Sequence, residues 1–147
     1  MSAAVNEIFV AAPARTIYEL AAATERWPQI LPHYRYVRVL SENGAQRTVE
    51  MAAWRGAIPI RWTAAQTNDR LAPRIVFHHM RGWTTGMDVA WTFHEDSRGT
   101  LVRIEHALAF RFPVASEWLG QHVVCDYFVH DVAAKTLACM KRLAEAA

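Results

Sequence analysis

From Tyr34 to the last quarter of the chain, apolar and polar residues alternate with a period of two. This alternation is typical of strands that bury one face. It predicts six strands, at residues 34–41, 46–54, 58–67, 74–80, 87–94 and 101–110. The breaks between them are short and rich in Gly, Asn and Asp, as in Glu42-Asn43-Gly44. Short connections join antiparallel strands, so we expect successive hairpins.

The residues before and after these strands follow other patterns. Residues 5–10 read as a strand, Pro13 suits a first helical turn, and residues 14–23 read as a helix. Residues 27–32 predict a compact turn or short helix. After Pro113 the period becomes helical to the end of the chain, and one stripe carries the inward-facing residues: Trp118, His122, Cys125, Asp126, Val129, Val132, Ala133, Thr136, Met140 and Leu143.

This order of elements predicts an α+β fold in one domain, residues 1–147. A curved seven-stranded antiparallel sheet would wrap around the long C-terminal helix, with two short helices after the first strand. A sheet with one apolar face must cover that face, and the terminal helix is the longest element able to do so. Such a sheet leaves space for a ligand between itself and the helix.

Composition narrows the function classes. The chain has 147 residues, of which 52% are hydrophobic, enough to fill a hydrophobic core. Its six tryptophans suggest a pocket lined by aromatic side chains. The net charge is +2 and the basic residues are scattered, so we expect no nucleic-acid partner. No stretch approaches the ~20 apolar residues of a membrane span.

The expected location is the cytoplasm. Residues 1–9 include Glu7 and do not resemble a signal peptide. Cys125 and Cys139 lie on one predicted helix, roughly 21 Å apart at 1.5 Å per residue, so they cannot form a disulfide with each other.

Several short motifs in the sequence resemble those of a known protein superfamily. The chain resembles the START-like superfamily of helix-grip proteins, which includes polyketide cyclases and coenzyme Q-binding proteins, and above all the tetracenomycin-type aromatase/cyclases. The motifs that carry the likeness are Ala12-Pro13-Ala14 before Ile17-Tyr18-Glu19-Leu20, the segment from Trp27-Pro28 to His33-Tyr34, Trp62, the run from Gly86 to Phe93, and Gly99-Thr100.

The resemblance implies a set of ligand-binding residues. Its cavity wall corresponds to Trp27, Tyr34, Trp62, Met87 and Trp91, and we add Met51 and Val129 to this set. The two pocket arginines of the family fall at Gln66 and near His78, and we expect both residues at the ligand. The family's glutamine on the last strand falls at His106, and its helix asparagine at Ala133. A neutral amide cannot replace a permanent charge, so these differences bear on the chemistry.

The candidate catalytic residues are Tyr34, His106, His122 and Asp126. His106 shares the inward face of its strand with Ile104 and Leu108. It is either a core histidine or a proton donor and acceptor for a bound carbonyl. Tyr34 can donate a hydrogen bond or simply pack. His122 and Asp126 are spaced i, i+4, so the carboxylate can orient the imidazole, or the two can form a surface pair near the cavity mouth.

Neither a metal nor another cofactor is expected. The adjacent residues His78 and His79 point to opposite faces of a strand, so only one can enter the cavity, and the pattern does not say which. No further ligands follow at metal-binding spacing. No phosphate loop or CxxC motif is present.

Three functions fit the sequence. The first is an aromatase/cyclase that folds a poly-β-ketone chain, presented by an acyl carrier protein, for aldol closure and loss of water. The second is a non-catalytic carrier or sensor of a lipophilic molecule such as a quinone. The third is a protein that stabilises a synthase complex. In each of the first two the ligand is small and hydrophobic or aromatic, and the sequence leaves monomer and homodimer open.

Overall fold

The computed structural model describes residues 2–82, 84–108 and 131–147. Their elements agree closely with the predicted ones. The helices are α1 (Ala14–Ala22), α2 (Trp27–Ile30), which follows a 3-10 turn at Thr24–Arg26, and α3 (Ala134–Ala146). The strands are β1 (Ser2–Val10), β2 (Tyr34–Asn43), β3 (Gln46–Arg55), β4 (Ile58–Asp69), β5 (Arg74–Arg81), β6 (Asp88–Glu95) and β7 (Thr100–Leu108).

The seven strands form one antiparallel sheet in the order β1-β7-β6-β5-β4-β3-β2. Strands β2 to β7 are successive hairpins, which confirms the interpretation of the short turns. Strand β1 closes the far edge by pairing with β7, from Ser2 opposite Leu108 to Val10 opposite Thr100. The turn before β7 comes so close to β1 that a Cβ on Gly99 would lie 2.3 Å from the Val10 carbonyl oxygen. Glycine is required there.

The alternation along each strand separates core from solvent. On β7, Val102, Ile104 and His106 are buried, whereas Leu101 and Glu105 are exposed. The same period on β4 to β6 builds one core cluster between the concave face of the sheet and the helices. The curved seven-stranded sheet with a helix against its concave face is the predicted architecture.

Helix α3 is the described part of the C-terminal helix, and residues 131–133 before it form a π-helical turn. The buried face of this turn and of α3 carries Val132, Ala133, Thr136, Leu137, Met140 and Ala144. Leu143, predicted on the same face, is 39% exposed. Helix α3 packs against β1 and α1. Leu137 and Ala144 are buried, whereas Leu143 lies between the buried face and solvent. The predicted inward residues from Trp118 to Val129 lie outside the described residues.

Candidate functional site

A pocket of about 40 Å³ lies between the concave face of the sheet and the C-terminal helix. The helical part of its wall comes from the turn at residues 132–136, and the rest comes from α2 and strands β2 to β7. The described residues that line it are Trp27, Tyr34, Met51, Trp62, Phe77, His79, Val89, Trp91, Ile104, His106, Val132, Ala133 and Thr136.

Aromatic rings form much of this wall and contact one another. Trp27 lies edge-on to Tyr34, with ring centroids 5.1 Å apart, and tilted against Trp91 at 6.0 Å. Tyr34 also meets Trp62 edge-on at 6.1 Å. Edge-on and tilted arrangements of this kind are favourable geometries for aromatic pairs. The structure thus places Trp27, Tyr34, Met51, Trp62 and Trp91 around one space.

His106 faces the pocket from β7. It pairs with Ala4 of β1 across the sheet and is 3% exposed. Burial lowers its pKa from 6.5 to about 4, against a smaller opposing effect of the backbone at Ala4. The imidazole is therefore neutral near pH 7, with one nitrogen carrying a proton and the other able to accept one.

On β5 the histidine that lines the pocket is His79. The prediction that His78 contacts the ligand is wrong. The His79 ring is 3% exposed and stacks on Trp62, with centroids 5.9 Å apart and planes at 8°. Its Nδ1 lies 2.5 Å from Thr84 Oγ1. His78 points to the opposite face, where its half-exposed ring lies 2.6 Å from the Asp88 carboxylate.

The second pocket histidine is also neutral. Burial, and to a smaller extent the neighbouring imidazoles of His106 and His78, lower the pKa of His79 to about 3. Both His79 and His106 line the pocket. The pocket therefore holds two neutral imidazoles on strands β5 and β7, on either side of β6.

Gln66, expected at the ligand, lies under α1 instead. It is fully buried and is not among the residues that line the pocket. Its Oε1 accepts a hydrogen bond from Thr24 Oγ1 at 2.7 Å, and its Nε2 donates to Ala22 O and Asn68 Oδ1, both at 2.9 Å. These bonds use the amide to fasten β4 to the end of α1. The inward face of β4 extends past the pocket, so an inward position there is not always a ligand position.

Met87 is also buried outside the pocket lining. It is completely inaccessible, and its carbonyl oxygen accepts the His79 N–H at 2.9 Å. Met87 therefore helps to hold the backbone of the pocket histidine. His122, Asp126 and Val129 lie outside the described residues.

Thr136 and His33 form a polar contact that sequence reasoning missed. Thr136 Oγ1 donates to Val132 O at 2.7 Å and lies 3.0 Å from His33 Nε2. The hydroxyl has one proton, already donated, so His33 Nε2 is the donor in the second bond. Burial lowers the pKa of His33 to about 4. The presence of Thr136 on an apolar stripe was the available signal.

Among the described residues, no group of three His, Cys, Asp or Glu side chains could hold a metal ion. None of the described helices is long and apolar enough to cross a membrane.

Comparison with known proteins identifies the family. The family model described as "Polyketide cyclase / dehydrase and lipid transport" matches residues 10–121, about three quarters of the chain. The chain belongs to this family. A curated relative, the actinorhodin polyketide synthase bifunctional cyclase/dehydratase of Streptomyces coelicolor, is 30% identical over 107 residues. The match covers 71% of this chain but 34% of that protein, so the chain spans about a third of its length.

Solved structures show that the fold is shared. The Zhui aromatase/cyclase from Streptomyces sp. R1128 superimposes with a TM-score of 0.84 at 18% identity, over 98% of this chain and 93% of that one. A START superfamily protein from Mycobacterium smegmatis gives a TM-score of 0.74 at 14% identity, over 97% of both chains. The family's helix-grip architecture, inferred above from the motifs, is confirmed.

Proposed function

We propose that this protein binds a poly-β-ketone chain or an aromatic polyketide in the pocket and promotes aldol cyclisation and dehydration. The observation that carries the proposal is the pocket itself, which combines an aromatic wall with two neutral imidazoles. Membership of the polyketide cyclase/dehydrase family supports it. The proposed ligand contacts are Trp27, Met51, Trp62, Trp91 and, from the C-terminal helix, Val129.

The proposed reaction needs proton transfer more than charge. A carbon between two carbonyls loses a proton, and the resulting enolate carbon forms a bond to a distant carbonyl carbon. The oxygen of that carbonyl takes up one proton to become a hydroxyl. The hydroxyl later takes up a second proton and leaves as water, while the neighbouring carbon loses a proton. We assign these transfers to His106 and Tyr34, with His122 and Asp126, which the sequence predicts on the C-terminal helix, as further members of the set.

A neutral imidazole suits the electrophilic half of this chemistry. Its N–H can donate to a carbonyl oxygen and polarise it, and it remains available at neutral pH because burial opposes a second proton. A pKa of about 4 makes His106 a weak base. This weak basicity favours His106 as the hydrogen-bond donor that stabilises the enolate oxygen.

Size restricts how a substrate is held. Pockets for drug-sized ligands occupy roughly 300–1,000 Å³, far more than the 40 Å³ between these walls. Entry of a folded chain thus requires wall side chains to move. Met51, unbranched and flexible, is suited to this. Tight aromatic walls would favour a flat product over an extended chain.

We further propose that an acyl carrier protein presents the substrate and that the protein acts in the cytoplasm. The first part is supported by the curated relative, which is named for a polyketide synthase. The second rests on the sequence, in which the two cysteines are too far apart to bond.

A non-catalytic carrier of a lipophilic molecule such as a quinone is the second candidate. Among the described residues that line the pocket there is no lysine or arginine. No permanent positive charge from these residues would stabilise an enolate, whereas binding an uncharged quinone needs none.

One experiment separates the two functions. The protein is incubated with a reactive poly-β-ketone thioester, and products are compared by liquid chromatography and mass spectrometry with those formed without protein. Tryptophan fluorescence is followed in parallel during titration with a naphthoquinone. A changed product pattern supports the cyclase, binding without conversion supports the carrier, and neither effect would refute both.

A further inference from the structure

A second concave site lies on the outside of the molecule, away from the aromatic pocket. This groove measures about 770 Å³, within the range of sites for small organic ligands. It lies between α3, the β3–β4 turn and the turn that leads into β2. The residues that line it are Pro32, His33, Trp54, Gly56, Ala57, Lys135, Ala138, Cys139 and Arg142.

The helical side of the groove is basic. Lys135 and Arg142 are seven residues apart, two turns of α3, and therefore lie on the same face. The small residues Ala138 and Cys139 lie between them. The Lys135 amine is 2.5 Å from the Asp131 carboxylate, so its charge is largely compensated.

Arg142, unlike Lys135, is not in an ion pair with a described carboxylate. Its guanidinium donates to Cys139 Sγ at 3.2 Å and, among the described residues, has no carboxylate partner. A guanidinium has five N–H donors in a planar fork, which matches a carboxylate. Most of those donors remain available to an anion in the groove.

The opposite side of the groove is aromatic. Trp54 is 39% exposed, unusual for so large an apolar side chain beside a cavity. The Arg35 guanidinium, which is not part of the groove lining, lies 5.0 Å from the centre of the Trp54 ring and helps to hold the indole in place. An exposed indole faces a basic helix across a groove wide enough for a flat molecule.

The floor of the groove is fixed. The backbone N–H of Trp54 donates to the His33 carbonyl oxygen at 2.8 Å, and the His33 ring is hydrogen-bonded to Thr136, which lines the inner pocket. One hydrogen-bonded pair therefore forms the wall between the outer groove and the inner pocket. A molecule in the groove would lie directly outside the proposed active site.

We propose that this groove is a second binding site, for a planar aromatic molecule that carries one anionic group such as a carboxylate. The ring stacks on Trp54 and the anion is held by Arg142. The site goes beyond the proposed cyclisation, since it needs neither the inner pocket nor catalysis.

The test uses 2-naphthoate and its uncharged isostere 2-naphthamide, titrated into the full chain by calorimetry. We expect naphthoate to bind more tightly than the amide, with an affinity that falls as salt rises. Arg142→Gln should weaken naphthoate binding about tenfold, the scale of one charge-assisted hydrogen bond, and leave amide binding unchanged. Trp54→Leu should weaken both ligands, because it removes the stacking surface.

The matched control is Arg98→Gln, which removes an exposed guanidinium in the β6–β7 turn. It should bind both ligands as the wild type does. Equal losses in Arg142→Gln and Arg98→Gln would reduce the effect to net charge and overturn the site. So would equal affinity for acid and amide, or naphthoate-induced shifts in the indole NMR signals of Trp62 and Trp91 rather than Trp54. Each of these results leaves the cyclase test untouched.

Discussion

At the scale of single residues, burial decides what the histidines can do. His78 and His79 are neighbours in the chain, yet one lies beside a carboxylate at the surface and the other stacks on Trp62 in the pocket. Burial lowers the pKa of the inward ring to about 3, because the charged form would lose its hydration. The same effect keeps His106 neutral. Among the described residues, the pocket histidines can donate a hydrogen bond to a carbonyl but carry no fixed charge.

Replacement of His106 by Leu tests its chemical role. Leucine retains much of the bulk and removes the proton-transfer group, so we expect cyclisation to slow by roughly 10²–10⁴-fold, as for loss of general acid–base assistance. Ligand affinity, followed by tryptophan fluorescence, should change little by comparison.

His78→Leu is the matched control, since it makes the same substitution on the opposite face of the sheet. It should leave the cyclisation rate and the product pattern unchanged. If His106→Leu behaved in the same way as this control, His106 would be a packing residue only.

At the scale of elements, polar bonds between strands and helices position the pocket walls. Gln66 holds β4 to the end of α1 through Thr24, Ala22 and Asn68. The Arg47 guanidinium donates to the same Thr24 hydroxyl at 3.2 Å and forms an ion pair with Glu25. A cation and a satisfied amide therefore already occupy this junction.

Gln66→Arg should destabilise the fold. The new guanidinium would be buried beside Arg47 without a carboxylate of its own, and an uncompensated buried charge costs roughly 3–5 kcal/mol. Urea unfolding measures the loss as a lower midpoint. Thr67→Arg, one residue along on the exposed face of β4, adds the same charge and should leave the midpoint nearly unchanged. A stable Gln66→Arg variant that gained cyclase activity would show that this position reaches the substrate after all.

At the scale of the whole molecule, the buried neutral histidines make the free energy of unfolding depend on pH. The unfolded chain protonates His33, His79 and His106 near their ordinary pKa of 6.5, whereas the folded chain protonates His79 only near 3 and the other two only near 4. Between these limits the unfolded state binds more protons. Stability is therefore complete above pH 6.5 and falls as the pH decreases towards 4.

The free energy of unfolding should fall by about 4 kcal/mol per pH unit within this window, at about 1.4 kcal/mol for each of the three histidines. Urea midpoints measured from pH 7 to pH 4.5 give the slope. His106→Leu should remove about a third of it, whereas Phe77→Leu, which alters the same wall without a titrating group, should keep all of it. A slope independent of His106 would place the acid sensitivity elsewhere.

Local pattern determined most of the architecture. A period of two follows from strand geometry alone, so the six predicted strands and their hairpins agree with β2 to β7 within a few residues. The alternation on β7 also assigned His106 to the inward face, since its apolar neighbours Val102 and Ile104 set the phase. Family motifs then led to the tryptophans and Tyr34 that meet around the pocket.

Tertiary structure alone decided what each inward position contacts. The alternation of apolar and polar residues could not predict whether His78 or His79 faces the pocket, because it is not regular around these two residues. Their orientation depends on the pairing of β5 with β4, whose register shifts between Thr63 and Ala64. Nor could it separate Gln66 from the pocket wall, since α1 covers that end of the sheet through contacts distant in sequence. The pocket and the groove are likewise spaces between elements. Their size and charge depend on how distant segments pack, and no local period encodes that.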